Sequence, residues 1–142
     1  MLDAEGPDSP PDGFEPLADT CAAELHAGPY YTRSDGAEAL IGFRVKRRHL
    51  NRGGICHGGV LATLADMAIT PVLRAREIPR INPTISMSLD YLTAVGLGQW
   101  VEARSMILRE TRNIIFTQCL ITADGTPAVR ASVVYKRGRA TA

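Results

Sequence analysis

The sequence predicts an α+β fold in which one long helix packs on an antiparallel sheet. Three observations lead there. Residues 58–76 place apolar side chains at helical spacing, and residues 84–91 alternate apolar and polar side chains as a strand does. A series of β-rich runs then follows, punctuated by turn residues. With 142 residues, 45% of them hydrophobic, the chain suits one domain that needs no disulfide or metal to hold it.

Residues 1–13 (MLDAEGPDSPPDG) are rich in Pro, Gly and Asp, the composition of a disordered tail, which leaves 14–142 as the folded domain. The mixed apolar spacing of Phe14–Leu25 predicts a short helix leading to Gly28-Pro29. Tyr30–Arg33 and Glu38–Lys46, separated by Ser34-Asp35-Gly36, form a hairpin pattern, and the glycine-rich loop Asn51–Gly54 follows. On the long helix Gly58–Arg76, Val60, Leu61, Leu64, Ala65, Met67, Ala68 and Val72 share one side. Asp66 points away from them beside Gly59, Ala62, Thr63 and Thr70, a small and partly polar face suited to meeting a neighbour. Pro71 removes one helical hydrogen bond and predicts a kink in the last turn.

Beyond the helix, Ile85, Met87, Leu89 and Tyr91 fall on one face of a strand, and Thr84, Ser86, Ser88 and Asp90 on the other. Trp100–Leu108 and Ile114–Thr122 are strands joined by the polar loop Arg109–Asn113, with Gly96-Leu97-Gly98 as a turn before them. A last strand, entered through Asp124-Gly125, lines one face with Val129, Ala131, Val133 and Tyr135. The order is hairpin, helix, then antiparallel meander.

Charge is uneven along the chain. Residues 1–43 carry nine acids and one base, whereas residues 44–142 carry fifteen bases and six acids. A basic body suits a phosphate-bearing ligand. The arginines are scattered and not interleaved with aromatics, which argues against nucleic acid. Cys21, Cys56 and Cys119 form no CxxC pair and read as reduced thiols of a cytoplasmic protein. The acidic, proline-rich start is unlike a signal peptide, and no apolar run approaches the ~20 residues that span a bilayer. His49 and His57 lack a third ligand, so no metal is expected. GxSxG, the P-loop and a GxGxxG after a strand are all absent.

Chemistry concentrates in Asn51–Asp66, NRGGICHGGVLATLAD. Glycines at a helix start let a ligand approach bare backbone N–H groups, which carry the positive end of the helix dipole. A carboxylate two turns on, Asp66, is a candidate base for a reaction whose oxyanion those N–H groups hold. His57 either caps the helix and holds the loop or contacts the reacting group. Asn51 is a site residue or a plain turn residue, and Gly59 also serves close packing. Cys56 reads as a small hydrophobe and not as the nucleophile of a Cys–His pair.

Asn51, Gly53-Gly54, His57-Gly58-Gly59, and Asp66 eight residues past Gly58 make this chain resemble the hotdog-fold acyl-CoA thioesterases of the phenylacetate-degradation (PaaI-like) type, over about Tyr30–Lys136. The resemblance implies an antiparallel sheet wrapped around the long helix, and protomers paired as homodimers and often homotetramers. It implies sites at the dimer interface: Gly58 N–H polarising the thioester carbonyl, Asn51 positioning acyl group or water, and Asp66 of the partner subunit as base or nucleophile. Thr84 stands where relatives often carry a water-orienting Ser. Arg109 and Arg112, with Arg137 and Arg139 as further candidates, would meet the phosphates of coenzyme A, which enters as part of the substrate, so no cofactor is required. The expected reaction is hydrolysis of an acyl-CoA to free acid and coenzyme A. The alternative is a non-catalytic acyl-CoA binding or sensor protein, although residues 1–29 are too short, acidic and proline-rich for a DNA-binding helix-turn-helix. A hydratase would need a His paired with an acid in motifs not found here. Leu61, Leu73, Ile78, Ile81 and Met87 are candidates for the acyl pocket.

Overall fold

The structure, a computed structural model, describes residues 9–36, 38–76 and 82–138. Its elements run β1 (Glu15–Pro16), α1 (Ala22–Ala27), β2 (Tyr31–Ser34), β3 (Ala39–Arg44), α2 (Gly58–Met67), α3 (Ile69–Ala75), β4 (Thr84–Tyr91), β5 (Trp100–Glu110), β6 (Ile114–Ala123) and β7 (Thr126–Lys136), with a 3₁₀ turn at Arg47–His49. The strands form one antiparallel sheet of order β1-β2-β3-β5-β6-β7-β4. Its inner face packs on the two helical segments: Leu61, Leu64 and Ala65 of α2 meet Ile41 and Phe43 of β3, Val101 of β5, Ile121 of β6 and Val129 and Val133 of β7 in one buried cluster. The α+β reading holds.

Four local expectations need correction. Phe14–Leu25 is not a helix: Glu15-Pro16 pairs with Tyr31-Thr32, and the helix starts only at Ala22. Nor is the long helix continuous. It breaks at Ala68, within one turn upstream of Pro71, because proline supplies no N–H and its ring crowds the carbonyl four residues back, that of Met67. Past the break the buried face shifts, so Ile69 and Leu73 enter the core while Val72 is half-buried; Val60, in the first turn of α2, is half-buried as well. The segment 58–75 is apolar enough, with mean hydropathy 1.2 over 18 residues, to cross a membrane by length and composition. Here it serves as the helix against which the sheet packs.

The meander is limited to β5, β6 and β7. β3 neighbours β5, and β4 is carried by the helices to the far edge, beside β7. The alternation of β4 is also broken. Thr84 pairs with Tyr135 and Ser86 with Val134, so Ile85 is an extra residue in a bulge. Met87, Leu89 and Tyr91 oppose the inward-facing Val133, Ala131 and Val129, and the bulge turns Thr84 to that same helix side. Regular pleating would have put it on the outer face with Ser86.

The Asp124-Gly125 turn forms as expected, with φ of 45° and 84°. Of the expected tail, residues 1–8 lie outside the described residues; the Ser9 carbonyl accepts from Arg44 Nη2 at 2.7 Å.

Candidate active site

The site starts with a loop that builds itself around Asn51. A bridge between Leu50 and Cys56 closes it, and Asn51 N–H donates to the Ile55 carbonyl at 2.8 Å. Asn51 Oδ1 accepts from Gly53 N–H at 2.8 Å and Ile55 N–H at 3.3 Å, while Gly54 takes φ 78°, which glycine adopts without a steric penalty. The side-chain oxygen of Asn51 is thus committed to the loop's shape. His49, buried beneath, accepts from Lys46 N–H through Nδ1 at 2.9 Å and reaches the Ala27 carbonyl through Nε2 at 2.8 Å. Its own carbonyl accepts from His57 N–H at 2.7 Å, tying the loop's end to the body of the protein.

His57 caps α2. Its Nδ1 accepts from Gly59 N–H at 2.8 Å, which places the proton of the neutral ring on Nε2. Its carbonyl accepts from Val60 N–H at 2.9 Å and Leu61 N–H at 3.2 Å. Three of the first four helix donors are thereby used. The fourth, Gly58 N–H, finds no acceptor among the described residues. Because it belongs to the peptide group whose carbonyl takes two hydrogen bonds, it is polarised as a donor. A residue that sequence reasoning left out of the site stands beside it: the Tyr91 hydroxyl donates to the Gly58 carbonyl at 2.7 Å. A Cβ on Gly58 would lie 3.2 Å from Tyr91 Cζ and Oη. The only hint in the sequence is that an aromatic ends the alternating strand.

Asn51, Ile55, Cys56, Gly58, Gly59, Leu61, Tyr91 and Val95 help line a cavity of about 450 Å³ at this helix tip. The Cys56 thiol points to the His57 carbonyl at 3.9 Å, not to the imidazole, and burial pushes it up to about 11, so it is no nucleophile at neutral pH.

Asp66 lies at the other end of β4. It is half-buried, and its Oδ1 accepts from the Thr84 hydroxyl. Its backbone carbonyl accepts from the buried Tyr135 hydroxyl at 2.7 Å. Burial first, and then the Asp66 carboxylate, raises the Tyr135 phenol well above its ordinary value. Eight residues along a helix separate Gly58 from Asp66 by about 12 Å of axis. One chain therefore does not bring both to a single carbonyl.

Arg109 sits on β5 beside a bulge and not in a loop, because β5 extends to Glu110. Arg112 occupies the turn before β6. Both are exposed and make no ion pair among the described residues. That turn lies at the Thr84 end of the sheet, since Arg137 N–H donates to Asn113 and Lys136 N–H to Pro83. Arg137 itself is held by Glu110 at 3.2 Å. Leu61 reaches the cavity and Leu73 the core, whereas Ile78, Ile81 and Arg139 fall outside the described residues. Among the described residues no group of three or more His, Cys, Asp or Glu gathers as metal ligands do.

A sheet wrapped round a helix, with an unpaired donor at the helix tip, is the architecture of the hotdog enzymes. The thioesterase superfamily profile matches residues 53–129, and this chain belongs to that superfamily; it is a thioester hydrolase. The chain is 28% identical over 127 residues to the esterase-named protein PA0474 of Pseudomonas aeruginosa, covering 88% of this chain and 95% of that one. Human acyl-coenzyme A thioesterase 13 is 28% identical over 89 residues, 63% of this chain and 64% of that one. The fold superposes on a mutant form of the phenylacetic acid degradation protein PaaI from Thermus thermophilus with a TM-score of 0.71 at 24% identity, covering 82% and 99% of the two chains. It also superposes on a Streptococcus pneumoniae thioesterase protein solved with coenzyme A, with a TM-score of 0.71 at 21% identity over 82% and 93%.

Proposed function

We propose that this protein hydrolyses acyl-CoA thioesters to free acid and coenzyme A in the cytoplasm, at sites shared between two copies of the chain. The observation that carries this is the position of the two halves of the chemistry on β4. Gly58 N–H, free and polarised, stands at the Tyr91 end, and Asp66 with the Thr84 hydroxyl stands at the other. β4 is the last strand of the sheet, with no neighbour beyond it among the described residues, and Ile85 (54%) and Tyr91 (53%) are largely exposed there. Antiparallel pairing with a second β4 about a two-fold axis would set the Tyr91 end of one copy against the Thr84 end of the other. Gly58 would then face Asp66 of the partner subunit.

In that arrangement the thioester oxygen accepts from Gly58 N–H as negative charge forms on it. Thr84 holds Asp66 Oδ1, which leaves Oδ2 to take a proton from water or to attack the carbonyl itself. The tetrahedral adduct collapses by expelling the thiolate of coenzyme A, a good leaving group that needs neither metal nor cofactor; where Asp66 itself attacked, water then cleaves the acyl–Asp66 anhydride to release the acid and restore the carboxylate. Asn51, His57 and Gly59 keep the donor in place, and the exposed Arg112 and Arg109 supply positive charge for the phosphates. Coenzyme A and acetyl-CoA in solved structures of similar fold support this ligand class.

The test is thiol release from a panel of aromatic, short-chain and medium-chain acyl-CoAs. Wild type should cleave at least one member, and Asp66→Asn should lower turnover about a hundredfold or more while remaining folded. Co-refolding Asp66→Asn with Gly58→Pro, which removes the donor, should restore about a quarter of the native sites, because half the dimers are mixed and each holds one intact site. No recovery from two folded parents would refute sharing. Binding of several acyl-CoAs without cleavage of any would favour the sensor reading.

A further inference from the structure

We infer that Tyr91 is a positioning residue for the carbonyl of the thioester, acting through the peptide group between Gly58 and Gly59. This rests on the proposed role of Gly58 as donor and goes beyond it. Two adjacent glycines at a helix tip are the least constrained backbone the chain could place there. A donor must nonetheless hold its direction to within a small angle to be useful in a transition state. The structure restrains that peptide at both ends. The Gly59 N–H is held by His57 Nδ1 at 2.8 Å, and the Gly58 carbonyl by the Tyr91 hydroxyl at 2.7 Å. The Tyr91 ring also lies against Gly58, close enough that a Cβ there, 3.2 Å from Cζ and Oη, would have to push it aside by a few tenths of an ångström.

Tyr91 is 53% exposed, so this contact adds little to the core; its effect falls on Gly58. Gly58 N–H itself belongs to the preceding peptide, whose His57 carbonyl is held by Val60 and Leu61; pinning the following peptide as well fixes both sides of the Gly58 α-carbon, beside the cavity that Gly58 and Tyr91 line. His57 and Tyr91 come from different parts of the chain, one from the loop and one from the edge strand, so the tip is held from two sides. The hydroxyl is the operative group and the ring a spacer.

Two CoA analogues separate positioning from general support. One replaces the thioester sulfur with methylene and keeps the carbonyl; the other is a thioether that lacks the carbonyl. Tyr91→Phe, which keeps the ring, should weaken the ketone analogue about fivefold and leave the thioether unchanged, and should lower kcat about tenfold while raising KM by a factor similar to the ketone's loss. Equal weakening of both analogues would show mere structural support and overturn the inference, as would wild-type kcat and binding. The proposed reaction fails separately: if wild type cleaves no acyl-CoA, that reading falls, while the analogue pair still reports on Gly58. Wild-type turnover in Tyr91→Phe beside a dead Asp66→Asn would sink the clamp and leave the reaction standing.

Discussion

The hydroxyl of Tyr135 donates to the backbone carbonyl of Asp66 at 2.7 Å, so the last strand is fastened to the helix at the residue that carries the candidate base. This bond lies near the helix break at Ala68, where backbone carbonyls are short of ordinary partners. Tyr135 is 2% exposed, and its ring belongs to the core.

Tyr135→Phe keeps the ring and removes the bond. The expected result is a loss of about 1–2 kcal/mol in urea denaturation, because the Asp66 carbonyl then stays buried with one partner fewer. Turnover should fall by less than tenfold, since the carboxylate and Thr84 are untouched. An unchanged denaturation midpoint would show that water replaces the phenol.

Thr84 gives a sharper comparison. Its hydroxyl donates to Asp66 Oδ1, and its methyl has no assigned part. Thr84→Ser should stay within about twofold of wild-type kcat, while Thr84→Val, of similar shape, should lose about tenfold. Equal activity in both would remove Thr84 from the site.

Stability should fall in alkali. Burial raises the Cys56 thiol from 9.0 to about 11 and the Cys119 thiol from 9.0 to about 12. In the unfolded chain these thiols ionise first, so the unfolded state is favoured as protons leave. The stabilisation is complete below pH 9 and declines as pH rises toward about 11 and 12. Denaturation midpoints across that window should reveal a loss of several kcal/mol. Cys56→Ala with Cys119→Ala should make the profile shallower, with the buried Tyr30 and Tyr135 phenols keeping a remainder of the loss, and a flat wild-type profile would contradict the assignment.

Much of this protein is legible in its residues, and the failures have physical causes. Helix α2 and strands β5 to β7 follow from periodicity and turn chemistry, because each signal is local. Strand order is not local. β4 leaves its sequence neighbour β5 and joins β7, as the intervening helices carry it across the sheet. The bulge at Ile85 is hidden because a regular alternation reads smoothly through Thr84; only the ladder with β7 exposes the extra residue. Arg109 reads as a loop residue because charged side chains at a strand's end look like a turn, yet β5 runs past it. In the site, Asn51, His57, Gly58 and Asp66 stand out together as a motif. Tyr91 does not, since its partner is a backbone atom on another element and leaves no trace in composition.

Thr84 and Tyr91 are separated by an odd interval, which in an uninterrupted pleat would leave them back to back. The insertion at Ile85 instead gives the hydroxyl and the phenol a common outlook. Whether a reactive oxygen is aimed at the acid or at open solvent is therefore decided here by chain length, not by which amino acid is present. Lengthening this strand by a single further residue between Thr84 and Ser86 would rotate the oxygen out of reach without altering any side chain.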